Sequence, residues 1–169
     1  KALDQFELLM IEQPLAWNDV RHHATLVKML KTPICLDESI ITLDDAQHMI
    51  DINSGQIVNI KPGRVGGFST AIAIHDLCEK HHIPVWCGGM LESGIGRAYN
   101  VALASLPNFS IPGDISASSR YWKQDVVDPE WQLIDGGMIE VPTAPGLGVT
   151  IDETYIRKLI KRREFITLK

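Results

Sequence analysis

Cysteine is scarce in this chain. There are three, Cys35, Cys78 and Cys87, with no CxxC spacing, and each sits in an apolar run. An odd, scattered set offers neither a disulfide framework nor a zinc-ligand pattern, and predicts buried thiols of a cytoplasmic protein. Basic residues are outnumbered, with 16 Lys and Arg against 21 Asp and Glu and a net charge of −5. No basic stripe is available to neutralise phosphates, which argues against nucleic acid as a partner. No apolar run approaches the roughly 20 residues of a membrane helix, and no signal peptide is visible. Aromatic residues make up 7%. Trp122, Trp131 and Tyr121 are expected to pack rather than to hold a cofactor. What remains is 169 residues with 45% hydrophobic content, enough for a real core.

The positive signal is a beat. LLMIEQP stops on Glu12, PICLDES on Asp37 and QIVNIKP on Lys61, so 25 and then 24 residues separate successive ionisable stops. PVWC, ending at Cys87, and FSIPGD, ending at Asp114, continue it. A strand, a returning helix and two turns take about this length. Short apolar runs predict strands buried on both faces: Leu8–Ile11, Ile34–Leu36, Ile57–Ile60, Val85–Cys87 and a short one near Phe109–Ile111. Helices are expected from Asn18 or Asp19 to about Leu30, from Thr42 to Ile52, from Ser69 through Cys78 and around Arg97–Ser105.

After about residue 120 the beat ends. Trp131–Ile134 and Met138–Val141 flank Asp135-Gly136-Gly137, a hairpin signature. A final helix, Glu153–Arg163, is expected behind an Asp152 cap. The expected division is therefore a partial (β/α) barrel over 1–120 and a hairpin-and-helix segment over 121–169.

Alternation of this kind makes a parallel α/β architecture, either an open doubly wound sheet or part of a barrel. Ionisable groups at successive strand ends favour the barrel. Five units do not close eight strands, so either the sheet is open or about three units precede Lys1, which is not an initiator methionine.

Side chains alternate along a strand, so Asn59 and Lys61 share a face, as do Glu12 with Met10 and Asp37 with Cys35. Glu12 and Asp37, on strands about 5 Å apart, suit a hard cation such as Mg²⁺ or Mn²⁺, which takes oxygen ligands. Lys61 on the next strand is the candidate general base. Glu38 is a candidate partner of Lys61 or a further ligand, and points away from Asp37's face if the strand continues; Asn59 is another candidate supporting residue. The backbone N–H groups of Gly88–Gly89 are candidates for an anionic substrate, and GRVGG is expected to be a plain turn. His22–His23 and His81–His82 are expected to be solvated. The competing reading is a structural ion network at a strand rim. A Schiff base at Lys61 and a non-enzymatic module with an exposed strand edge at Leu8 stay open beside it.

IEQP, LDES and NIKPGRVGG resemble the fourth, fifth and sixth strand ends of the enolase superfamily. GGMLESGIGRAYN with LPNFSIPGDISASSRYW is similar to its o-succinylbenzoate synthase and N-acylamino acid racemase branch. The resemblance implies the C-terminal part of a (β/α)7β TIM-like barrel, about strands 4–8, with a tail returning to an α+β capping domain. It implies Glu12 and Asp37 as two of three Mg²⁺ ligands, and Lys61 as an acid/base lysine on one face in racemisation or, in the synthase reaction, as a cation that stabilises the intermediate while an upstream lysine takes the proton. Gly89, Met90 and Leu91 would line the acyl or succinyl side of the pocket. The reaction implied is α-proton abstraction from a small-molecule carboxylate through a metal-stabilised enediolate. That is dehydration of a cyclohexadiene carboxylate in menaquinone biosynthesis, racemisation of an N-acylamino acid, or both, with another cycloisomerase or epimerase of the superfamily as an alternative. A homo-oligomer is expected. The superfamily's Lys-x-Lys pair, its first aspartate ligand and its capping domain match nothing here, so they are expected upstream, in the remainder of the same protein. This fragment alone is expected to be inactive.

Overall fold

The computed structural model describes residues 1–166. The last three residues of the segment expected over 121–169 lie outside the described residues. The chain divides into two units, one of residues 1–90 and 99–115, the other of residues 91–98 and 116–169.

The first unit is a parallel sheet with helices between its strands. Strands β1 (Ile11–Glu12), β2 (Ile34–Leu36), β3 (Ile57–Asn59) and β4 (Val85–Trp86) lie in the order β1-β2-β3-β4. Every neighbouring pair is parallel. Chain order equals spatial order, so the winding never reverses. A doubly wound sheet needs that reversal at its switch point, and the order β1-β2-β3-β4 fits the barrel alternative.

Helices α1 (Val20–Met29), α2 (Leu43–Ile52) and α3 (Phe68–Lys80) make the crossovers. Their starts follow from local chemistry. Asp19 accepts the His22 N–H. Thr42 and Asp45 form a reciprocal capping box, which satisfies two otherwise orphaned donors. Asn53 ends α2 in the left-handed conformation. Helix α3 starts one residue earlier than expected, after Gly67 with φ 122°.

Strand alternation sends side chains to two buried faces. Ile34, Leu36, Val58, Ile60 and Val85 pack with Ala46, Met49, Ala71 and Ile74 of the helices. Cys35, Ile57 and Trp86 pack on the opposite face with Met10 and Ile111. Burial on both faces is why these strands are so uniformly apolar.

Several expectations are corrected. Strand β1 is two residues, not Leu8–Ile11, and Leu8 and Leu9 are exposed. Among the described residues β1 pairs on one side only, with β2, so nothing there buries its approach. Residues 109–111 form no strand. His23 is buried rather than solvated. Its Nδ1 meets the Asp19 carbonyl and its Nε2 accepts the Leu15 N–H.

Helix α4 (Gly94–Ala104) begins three residues before its expected start, in the second unit's sequence. In that unit β5 (Val127–Asp128) and β6 (Thr150–Ile151) pair antiparallel, and α5 (Glu153–Leu159) follows behind an Asp152 cap. The expected hairpin shrinks to one bridge, Ile134 with Met138, and α5 is shorter than expected.

The second unit is tied together by buried polar groups. Arg97 donates to the carbonyls of Glu92 and Ser116, each at 2.8 Å, and faces Asp125 at 3.5 Å. Asp125 accepts from Gly94 N–H and from the Ser118 hydroxyl. The Trp131 indole donates to the Gly94 carbonyl. A side chain at position 94 would come within 2.2 Å of Val127, so only glycine fits.

Candidate functional site

Parallel strands deliver their C-terminal ends to one side, and the three ionisable stops meet there. The strand register decides how. Glu12 lies opposite Cys35, and Leu36 opposite Val58. Asp37 therefore stands two residues beyond Glu12, level with Asn59, and Lys61 two residues beyond Asp37. The expected 5 Å separation of Glu12 and Asp37 is only its lateral part. Two residues of stagger add about 6.6 Å along the strand direction. Such stagger accompanies the strand tilt of a barrel.

The side chains bridge the steps. Lys61 Nζ donates to Asp37 Oδ2 at 2.6 Å. Asn59 Nδ2 donates to Glu12 Oε1 at 2.7 Å, and Asn59 Oδ1 accepts the Gly88 N–H at 2.8 Å. Asn59 is fully buried. It shares Lys61's side of the strand, as alternation requires.

Glu12, Asp37 and Glu38 line one shallow depression with Gln13, Leu15 and Trp17. Partial desolvation raises Glu12 above the ordinary carboxylate range. The Asn59 bond opposes that rise, Asp37 adds to it, and Lys61 opposes it. Asp37 is buried while Glu38 is exposed. The strand stops at Leu36, so the condition under which Glu38 would point away from Asp37 is not met, and Glu38 opens on the same depression as Asp37.

Arg64, in the GRVGG turn, is the residue the sequence reading missed. Its guanidinium pairs with Asp37 and donates to the carbonyls of Ile40 and Asn59. Burial draws it below its usual value, and the Asp37 carboxylate opposes that. The turn is thus more than a plain connection. It folds Arg64 back onto the carboxylate that Lys61 also holds.

Glycines pack the neighbouring strand end. A Cβ at Gly88 would lie 2.4 Å from Lys61 Cε and 2.6 Å from the Asn59 amide. The Gly88 N–H is taken by Asn59, and the Gly89 N–H by the Asp114 carboxylate. The expectation that these two N–H groups face an anionic substrate is therefore corrected. Met90 is half exposed, and Leu91 is exposed at the start of the second unit's sequence.

The donor set at the depression is all oxygen and anionic, which fits a hard divalent cation rather than zinc or copper. Glu12 and Asp37 are the residues able to hold one, with Glu38 at the rim. A separate His75, Asp76 and Glu79 group sits on α3. There His75 accepts the Asn108 N–H through Nε2, so its Nδ1 proton faces Asp76 and neither nitrogen is free for a metal.

The model of the enolase C-terminal domain-like family matches residues 1–155. An o-succinylbenzoate synthase of Bacillus subtilis (strain 168) is 56% identical over 167 residues, covering 99% of this chain and 45% of that protein. An N-succinylamino acid racemase of an Amycolatopsis species is 58% identical over 147 residues, covering 87% of this chain and 39% of that protein. The crystal structure of a dipeptide epimerase from Cytophaga hutchinsonii, complexed with Mg and the dipeptide D-Ala-L-Val, superposes with a TM-score of 0.85. It is 27% identical and covers 92% of this chain and 42% of that one. The chain spans less than half the length of the curated relatives it matches.

Proposed function

We propose a function from one premise, that the chain belongs to the enolase C-terminal domain-like family. It carries two carboxylate ligands of a divalent-metal site and one acid/base lysine of an enzyme that removes the α-proton of a carboxylate. Within that class the reading is o-succinylbenzoate synthase, N-acylamino acid racemase, or both. Similarity exceeding half of aligned residues to one protein of each kind supports the pair.

The observation that carries the reading is convergence. Three side chains 25 and 24 residues apart reach one mouth, with Lys61 Nζ 2.6 Å from Asp37. Glu12 and Asp37 would hold the cation, Mg²⁺ or Mn²⁺. When bound, it supplies positive charge against the substrate carboxylate as charge develops there. Asn59 holds Glu12 in place from the next strand but one. In racemisation Lys61 takes the α-proton or returns it, from one face of the substrate; in the synthase reaction it stabilises the intermediate as a cation. Arg64 offsets the Asp37 charge and fixes the turn behind Lys61. The Gly88 backbone, which tolerates no side chain, leaves Lys61 room to extend. Gly89, Met90 and Leu91 are proposed for the acyl or succinyl end. The remainder of the protein is proposed to supply the other acid/base face and a further ligand.

Synthase and racemase draw on the same residues of this chain, so one experiment covers both. The full-length protein carrying this chain is assayed with a cyclohexadiene carboxylate substrate and with an N-succinylamino acid. Turnover and α-proton exchange in D₂O are followed before and after chelation. Loss of both on chelation and in Lys61→Met is expected. Turnover that survives both treatments would sink the proposal.

A further inference from the structure

Gln13 follows Glu12 directly and is one of the few non-glycine residues in the left-handed region, at φ 37°. Asn53 and His82 share that conformation, but they lie just past helix ends, where it is common. Gln13 lies between a strand and Pro14. A residue held in this region next to functional groups calls for a reason in its surroundings.

Its side chain supplies one. Gln13 Oε1 accepts from Asp37 N–H at 2.9 Å and from Ser39 N–H at 3.3 Å. Gln13 Nε2 donates to Ser39 Oγ at 2.8 Å and to the Leu15 carbonyl at 3.2 Å. Two donors and two acceptor positions are all a primary amide has, and all four are used. The Ser39 hydroxyl then donates to the Trp17 carbonyl at 2.7 Å. One side chain therefore clamps the loop after β1 to the loop after β2.

The clamp replaces a rung of the ladder. Gln13 N–H donates to the Cys35 carbonyl at 2.9 Å. In an evenly spaced parallel ladder the next bond would run from Asp37 N–H to the Gln13 main-chain carbonyl. With Gln13 left-handed, its side-chain oxygen takes that N–H instead. The sheet thus continues one step past its last backbone bond, and that step falls between Glu12 and Asp37.

We propose that Gln13 is a positioning residue for the metal site, setting the spacing of the Glu12 and Asp37 carboxylates and so the affinity for a divalent cation. This rests on the metal reading given above. Among the described residues the Gln13 side chain hydrogen-bonds to neither carboxylate group. It acts through the backbone of both residues, as groups behind metal ligands do when their loss weakens binding ten- to a hundredfold.

The test uses the full-length protein and Mn²⁺ as probe, with free Mn²⁺ read by electron paramagnetic resonance and folding read by circular dichroism. Gln13→Met removes all four bonds at similar volume. Gln13→Glu keeps the acceptor bonds and loses the donors. Thr42→Ala, which uncaps α2, is the control for general destabilisation. Gln13→Met is expected to raise the Mn²⁺ dissociation constant at least tenfold, with Gln13→Glu also weakened and Thr42→Ala within twofold of the wild type. An unchanged constant in Gln13→Met overturns the proposal, as does equal weakening in Thr42→Ala. A Gln13→Met protein that does not fold also overturns it, because a positioning role predicts a folded protein with a poor site. Absence of saturable Mn²⁺ binding in the wild type, or no effect of Glu12→Gln, overturns the metal reading itself and the proposal with it.

Discussion

Lys61 Nζ and Asp37 Oδ2 are 2.6 Å apart, joining the proposed base to a proposed metal ligand across adjacent strands. Proton transfer by a positioned side chain contributes roughly 10²–10⁴-fold. Lys61→Met in the full-length protein should therefore lower turnover by at least ~100-fold. Lys61→Arg keeps the positive charge beside Asp37, yet its racemisation should be almost as impaired, because a guanidinium does not give up its proton. Comparable activity in the arginine variant would reduce Lys61 to an ion-pair partner.

Arg64 holds Asp37 and two carbonyls from one turn. Arg64→Met leaves those acceptors buried with fewer donors. The expected loss is about 2–4 kcal/mol of folding free energy, read by urea denaturation. A loss below about 0.5 kcal/mol, typical of an unremarkable surface site, would show the turn stands without it.

Glu12 has a definite pH signature. Its folded value is raised above 4.5, chiefly by desolvation. The folded state then holds the proton more tightly than the unfolded chain. Its contribution is fully favourable below the unfolded value and is lost as pH rises through the folded one. In metal-free protein, Glu12→Gln should melt higher than the wild type at pH 7, with the difference shrinking below pH 4.5. Melting curves across that range check the sign. Because Glu12 is exposed, the effect should be small. An unchanged or lower melting temperature at pH 7 counts against it.

Gly88→Ala places a methyl group 2.4 Å from Lys61 Cε. Overpacking of this kind costs about 1–3 kcal/mol, and the proposed base has to move. Turnover should fall while the protein stays folded. Gly63→Ala is the comparison, since among the described residues its methyl group would meet only Met90 Sδ, at 4.0 Å. It should change stability by no more than ~0.5 kcal/mol. Equal effects at the two positions would remove the steric account.

The 169 residues by themselves should show no turnover with either substrate class, because Glu12 and Asp37 alone do not complete the proposed metal site. Divalent-metal-dependent activity from this chain alone, in a purified preparation, would contradict that.

The beat of strand ends was legible because burial on both faces forces apolar runs and the mouth forces their ionisable stops. The caps at Asp19, Thr42 and Asp152 were legible because capping is local chemistry. Gln13 and Arg64 were not. Gln13's task depends on one backbone dihedral, and Arg64's on a turn that folds back across two strands. Neither leaves a periodic trace. The β5–β6 pair escaped for a related reason, since two-residue strands more than twenty residues apart carry no alternation. Leu8 and Leu9 look buried in sequence, and their exposure follows from β1 having one partner among the described residues.

The two-residue step between successive strand ends has a consequence for what counts as a conservative change. From Glu12 to Lys61 the backbone climbs four residues, about 13 Å at 3.3 Å per residue. The side chains work against that climb, each with its own number of methylene groups. Aspartate at position 12 would keep charge and chemistry and fall one carbon short of Asn59. Glutamate at position 37 would overshoot into Lys61 and Arg64. At this mouth the amino-acid alphabet works as a ruler, and reach separates glutamate from aspartate.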